Sequence, residues 1–273
     1  MNLSVRAFIG LAVIMLGSTG AAQQEAATEA QKKEILRLIE DLALSEKKAP
    51  EGMVLPPDPP ELIDNVSDAY RKRYEGCEAA YKKLSTFKKT AFPFLLEYLG
   101  DERQSIAFRN HSLSQSVGAA CFWNIYYQLQ DLPQNYSSYG WSREGRDGKQ
   151  HPKPYWVGTP FDDAGRLTEW MKQNQQLSYP EMQIKCLEWL LEKEKTIGAA
   201  DAASYFENIL PLEIRILERK METGAEVKED LARLRTALGQ KNEAIIPAAL
   251  LPSKNSRDAK PAPEKNPPPK RAP

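Results

Sequence analysis

Apolar residues return every three or four positions in one stretch after another, and that period suits an α-helix and not a strand. Residues 28–44 carry Ile35, Leu38, Ile39 and Leu42 as one stripe. Val66, Tyr70, Tyr74, Cys77, Tyr81 and Leu84 continue the period on a second, longer helix whose stripe is partly aromatic. Residues 92–99 predict a short third helix, with Pro93 suited to its first turn and Gly100 to its end. Residues 117–129 are apolar on nearly every side, through Ala119, Ala120, Cys121, Phe122, Trp123, Ile125, Tyr126 and Tyr127. A helix of that kind is buried from several directions and predicts the centre of the core. Asp162 or Asp163 can cap a helix over 164–172, with Leu167, Trp170 and Met171 inward. Ser178 and Glu181 spell a capping box before 182–195, where Cys186, Leu187, Leu190 and Leu191 make the stripe. Asp201 can cap 202–221, with a kink expected at Pro211. Val227, Leu231, Leu234 and Leu238 give a last amphipathic helix that Gly239 is expected to stop. The expected fold class is therefore all-α, an irregular helical bundle or a short helical array.

The breaks in this pattern set the expected domain limits. Residues 1–22 run from a basic start through an apolar stretch, 7–16, to small residues Gly17, Ser18, Gly20, Ala21 and Ala22. That order is the order of a secretory signal peptide, and its apolar part is too short for a bilayer of roughly 30 Å. Export to a periplasmic or secreted location is expected, with the mature chain starting near Gln23 as an N-terminal helical segment over 23–48. Pro50, Pro56, Pro57, Pro59 and Pro60 make 49–60 an extended linker. The helical domain then spans 61–251, interrupted by an insertion at 131–161 rich in proline, glycine and aromatic residues, without helical or strand period. Such a long irregular segment in a compact domain is functional or disordered more often than it is filler. Residues 252–273 hold proline, alanine and basic side chains without large apolar ones, and predict a disordered tail.

Lysine plus arginine and aspartate plus glutamate both number 37, so the formal net charge is zero. The tail concentrates Lys254, Arg257, Lys260, Lys265, Lys270 and Arg271, leaving the folded part mildly acidic. That balance argues against nucleic acid as the main partner. No second apolar stretch reaches transmembrane length, so the mature chain is expected to lack an integral membrane segment. Cys77, Cys121 and Cys186 all fall in apolar helical patterns. They can pack as three buried thiols, or form one disulfide and one free thiol in an oxidising compartment.

Catalytic signatures are missing from the sequence. His111 and His151 have no HExxH spacing, and there is no CxxC pair, so neither a metal nor a cofactor is expected. There is no GxSxG elbow. Gly140 and Gly145 have the first spacing of a phosphate loop, but Arg146 and Asp147 stand where Lys and Ser or Thr are needed. Glu207 and Glu213, either side of Pro211, suit solvated helix faces better than an acid–base pair.

The run Ala91-Phe92-Pro93-Phe94-Leu95-Leu96-Glu97-Tyr98-Leu99-Gly100-Asp101 resembles the second helix and following turn of a HEAT-type repeat. Ile106, Arg109 and Ser116-Val117-Gly118-Ala119-Ala120 resemble the opening of the next repeat. The resemblance implies stacked helix pairs, a HEAT-like array, and a protein that binds other macromolecules.

Site-like chemistry is confined to the insertion. Trp141, Tyr155 and Trp156 offer aromatic faces, and Arg146, Asp147 and His151 offer charged donors and acceptors. Together they suit a sugar ring or a peptide. The plain alternative is a loop whose aromatics pack on the helices and hold it down. The function expected is that of a non-catalytic protein- or glycan-binding component of the cell envelope. The alternatives are a glycan- or peptide-processing enzyme with its site under 131–161, and a purely structural envelope protein.

Overall fold

The computed structural model describes residues 27–50, 57–107 and 116–253. The expected signal peptide, residues 51–56 of the proline linker, Arg109, His111 and the tail from 254 lie outside the described residues.

The chain is mostly helical, as its apolar period requires. The α-helices in order are α1 (Glu29–Asp41), α2 (Asp68–Thr86), α3 (Phe92–Glu97), α4 (Val117–Gln130), α5 (Ala164–Asn174), α6 (Tyr179–Ile197), α7 (Ala202–Asn208), α8 (Leu210–Glu222) and α9 (Lys228–Gln240). Polar side chains start α1, α2, α4, α5 and α7 by accepting from otherwise orphaned backbone N–H groups. Asp163 accepts from Arg166 at 2.8 Å to open α5, and Asp201 accepts from Ser204 at 2.8 Å to open α7. The capping box of Ser178 and Glu181 opens α6, with the Ser178 N–H donating to Glu181 Oε2 at 2.6 Å.

One core joins α1 to α5 and the start of α6, through Ile35, Ile39, Leu84, Phe92, Leu95, Cys121, Ile125, Leu129, Leu167 and Cys186. Phe122 is buried within it, and Trp123 packs against it from a partly exposed position. The end of α3 closes on the start of α4 because Gly118 has no side chain. A Cβ there would stand 2.3 Å from the Leu99 carbonyl oxygen. A second core forms between α7, α8 and α9, from Tyr205, Phe206, Ile209, Leu210, Ile214 and Leu231, capped by Leu250.

Several expectations need correcting. The helix expected over 202–221 is two helices, α7 and α8, separated at Ile209, with Pro211 in the first turn of α8. Proline has no N–H to give the carbonyl four residues back, and its ring crowds that carbonyl. The carbonyl in question, on Glu207, accepts instead from the Ser137 N–H at 2.8 Å. Gly239 does not stop the last helix. The chain continues to Gln240 and turns at Lys241, whose φ is +52°. No disulfide forms, since Cys77, Cys121 and Cys186 are all buried free thiols. Burial pushes the Cys77 thiol up to about 11. The insertion expected to lack strand structure contains an antiparallel hairpin, β1 (Ser142–Glu144) and β2 (Gln150–Pro152), with Arg143 opposite His151. Its strands are three residues each, too short for alternation to show above the aromatic composition around them.

Candidate functional site: an anchored aromatic ledge

The insertion leaves α4 through Asp131, which turns left-handed at φ +45°. Both carboxylate oxygens of Asp131 accept from Arg215 and Arg219 of α8, at 2.7–2.9 Å. Two guanidinium forks on one carboxylate fix the exit direction of the chain. Tyr136 then enters a third apolar cluster with Ile184, Leu187 and Leu190 of α6 and Leu212 and Ile216 of α8.

The strongest anchor is ionic and buried. Arg143 on β1 and Glu194 on α6 form an ion pair with side chains 7% and 0% exposed. Arg143 Nε donates to Glu194 Oε2 at 2.9 Å, and a second guanidinium nitrogen donates to the same oxygen. The other carboxylate oxygen accepts from the Tyr136 hydroxyl at 2.5 Å. Arg143 also donates to the Gly198 carbonyl at 2.6 Å, where α6 ends. Burial, reinforced by the adjacent Glu194 charge, pushes the Tyr136 hydroxyl far above its ordinary range, so it remains a donor. Lys153, also buried, donates to the backbone and hydroxyl oxygens of Ser137 at 3.0 Å, tying the two ends of the insertion together.

Above this anchor the aromatic rings form a ladder from core to solvent. Tyr136 meets Tyr155 edge-on at 6.4 Å, Tyr155 lies 4.5 Å from Trp156, and Trp156 stacks on Trp141 at 4.0 Å with planes 13° apart. Tyr136 is buried at 4% exposure, whereas Trp141 is 69% exposed. Neighbouring Tyr139 is 91% exposed and Val157 45%. The loop can approach α4 closely because Gly158 lacks a Cβ: one placed there would stand 1.8 Å from Gln130 Nε2, which donates to the Tyr155 carbonyl at 3.1 Å.

Comparison with known families, curated proteins and solved structures finds no match.

The six residues singled out by sequence fall into three groups. Trp141, Tyr155 and Trp156 come together in the ladder. Asp147 and His151 pair with each other at the turn of the hairpin, His151 Nε2 lying 2.9 Å from Asp147 Oδ1. That hydrogen bond holds the Asp147 carboxyl below the usual carboxylate range. Arg146 instead reaches the C-terminal segment, packing over Gly198 and donating to the Ala249 carbonyl at 2.5 Å. The groove of about 310 Å³ along α6, α8 and α9 and the pocket of about 280 Å³ between α3 and α5 are lined by none of the six. Among the described residues, no group of three or more His, Cys, Asp or Glu side chains could hold a metal ion, and no helix is long and apolar enough to cross a membrane.

The residues that sequence reasoning passed over are Glu194 and the special role of Arg143. A signal was present. Leu187, Leu190, Leu191 and Glu194 share one helical stripe, so Glu194 stands where an apolar residue is expected. A carboxylate on a core-facing stripe requires a cationic partner, and Arg143 and Arg146 of the insertion are among the arginines that could supply it.

Proposed function

We propose that this chain is an exported, non-catalytic binding protein of the cell envelope that captures a glycan or a protein on its aromatic ledge. The observation that carries the reading is the stacked Trp141–Trp156 pair, held on a rigid base yet displaying Trp141 and Tyr139 to solvent. Exposed large aromatics on a well-anchored support suit recognition, because little side-chain freedom is lost on contact. Export rests on the tripartite order of residues 1–22. We read the α3–α4 pair as the HEAT-like hairpin of the sequence, one unit of an irregular bundle that presents the ledge.

The competing enzyme reading calls for a close pair of carboxylates beneath Trp141 and Trp156. Glu194, the buried carboxylate to which the insertion is bonded, is occupied by Arg143 and Tyr136 on both oxygens. Its chemistry is that of an anchor.

Cosedimentation with an insoluble cell-envelope fraction tests the reading. The full chain should pellet with the fraction, and a Tyr139→Ala/Trp141→Ala variant should stay in the supernatant with unchanged helix content. Pretreating the fraction with glycosidase or with protease identifies the class of partner. A double variant that pellets as well as the parent refutes the ledge as the contact.

A further inference from the structure

A second concave surface lies away from the ledge, between α3, α5 and the first turn of α6. Its apolar floor and walls are Phe92, Pro93, Leu96, Met171 and Met182. Phe92 and Met182 are fully buried, so the floor is part of the main core. Its polar lining is Lys89, Thr168, Lys172 and Gln175, and among the described residues no carboxylate lines it. The volume of about 280 Å³ lies just under the usual range of ligand-binding cavities, roughly 300–1,000 Å³.

The charge at its mouth is fixed in place. Lys89 Nζ donates to the carbonyls of Gln175 and Leu177, at 2.8 and 2.5 Å, where α5 ends. An ammonium carries three donors, so one remains for a ligand. Burial lowers the Lys89 pKa, and Glu181 acts on it in the opposite sense. Glu181 is itself engaged by the Ser178 N–H in the α6 cap. Lys172, in the last turn of α5, makes no ion pair among the described residues. Met171 adds unbranched, adaptable surface that accepts an aliphatic chain.

We propose that this pocket binds a small amphiphilic anion, an aliphatic carboxylate of medium chain length. The chain lies against Pro93, Leu96 and Met171, and the carboxylate meets Lys172 and the remaining donor of Lys89. The groove along α6, α8 and α9 differs in kind, because Glu188, Glu213 and Asp230 line it beside its cations.

Isothermal titration of the full chain with decanoate, below its aggregation concentration, tests the proposal, with decylamine as the probe of opposite charge. Decanoate should saturate a single site and decylamine should not compete for it. Lys172→Glu should weaken decanoate about tenfold, the scale of one charge-assisted hydrogen bond. Lys172→Arg should restore it. Thr168→Phe, a change at an exposed rim position, should block the pocket while circular dichroism stays unchanged. Absence of saturable decanoate binding overturns the proposal. So does equal binding of decanoate and decylamine that ignores Lys172, which would mark an apolar dock indifferent to charge.

Discussion

Glu194→Ala is expected to cost about 3–5 kcal/mol, because it leaves the buried Arg143 guanidinium without its counter-charge. The same change removes the acceptor of the Tyr136 hydroxyl. Urea denaturation of the parent and variant measures the loss. The double variant Arg143→Met/Glu194→Met should be more stable than Glu194→Ala, since an apolar pair of similar size avoids the desolvation of both charges. The two substitutions are then strongly non-additive, as expected for side chains in direct contact. A Glu194→Ala loss below about 1 kcal/mol, the scale of an average point mutant, would mean that the ion pair does not hold the insertion.

Phe122→Ala should cost a similar amount, about 3–5 kcal/mol, by a different route. The ring is 7% exposed in the main core and lies edge-on to Trp123 at 4.9 Å and 5.8 Å from Tyr126. Truncation leaves a cavity that a helix packed on several sides cannot collapse to fill. Tyr139→Ala, at an exposed position, should change stability by no more than about 0.5 kcal/mol. Thermal or urea unfolding of the two variants side by side separates core from ledge. A Phe122→Ala variant as stable as Tyr139→Ala would place α4 at the periphery.

The helices were legible because each buries a stripe that repeats with their own period, and because their caps are local. Ser178 with Glu181, Asp163 and Asp201 do in the structure what their spacing implies. The break at Ile209 was half-legible. Pro211 marked the place, but only the tertiary fold supplies Ser137 as the new donor to the Glu207 carbonyl. Gly239 misled because glycine is tolerated in an exposed final turn, and Lys241 takes the left-handed position itself. The stacking of Trp141 on Trp156 and the burial of Arg143 were beyond sequence pattern. Both depend on a hairpin register set by partners that are distant in the chain, such as Glu194. For the same reason Arg146 looked equivalent to Asp147 and His151 in sequence, yet donates to Ala249.

Oxidative footprinting of the chain bound to the envelope fraction reads out whether the ledge is the contact surface. Tyr139 and Trp141 should label rapidly in the free protein, as their exposure requires, and slowly once the chain is captured. Tyr136, buried in both states, should stay unlabelled throughout. Capture that leaves the labelling of Tyr139 and Trp141 unchanged would contradict the account and move the contact to another face.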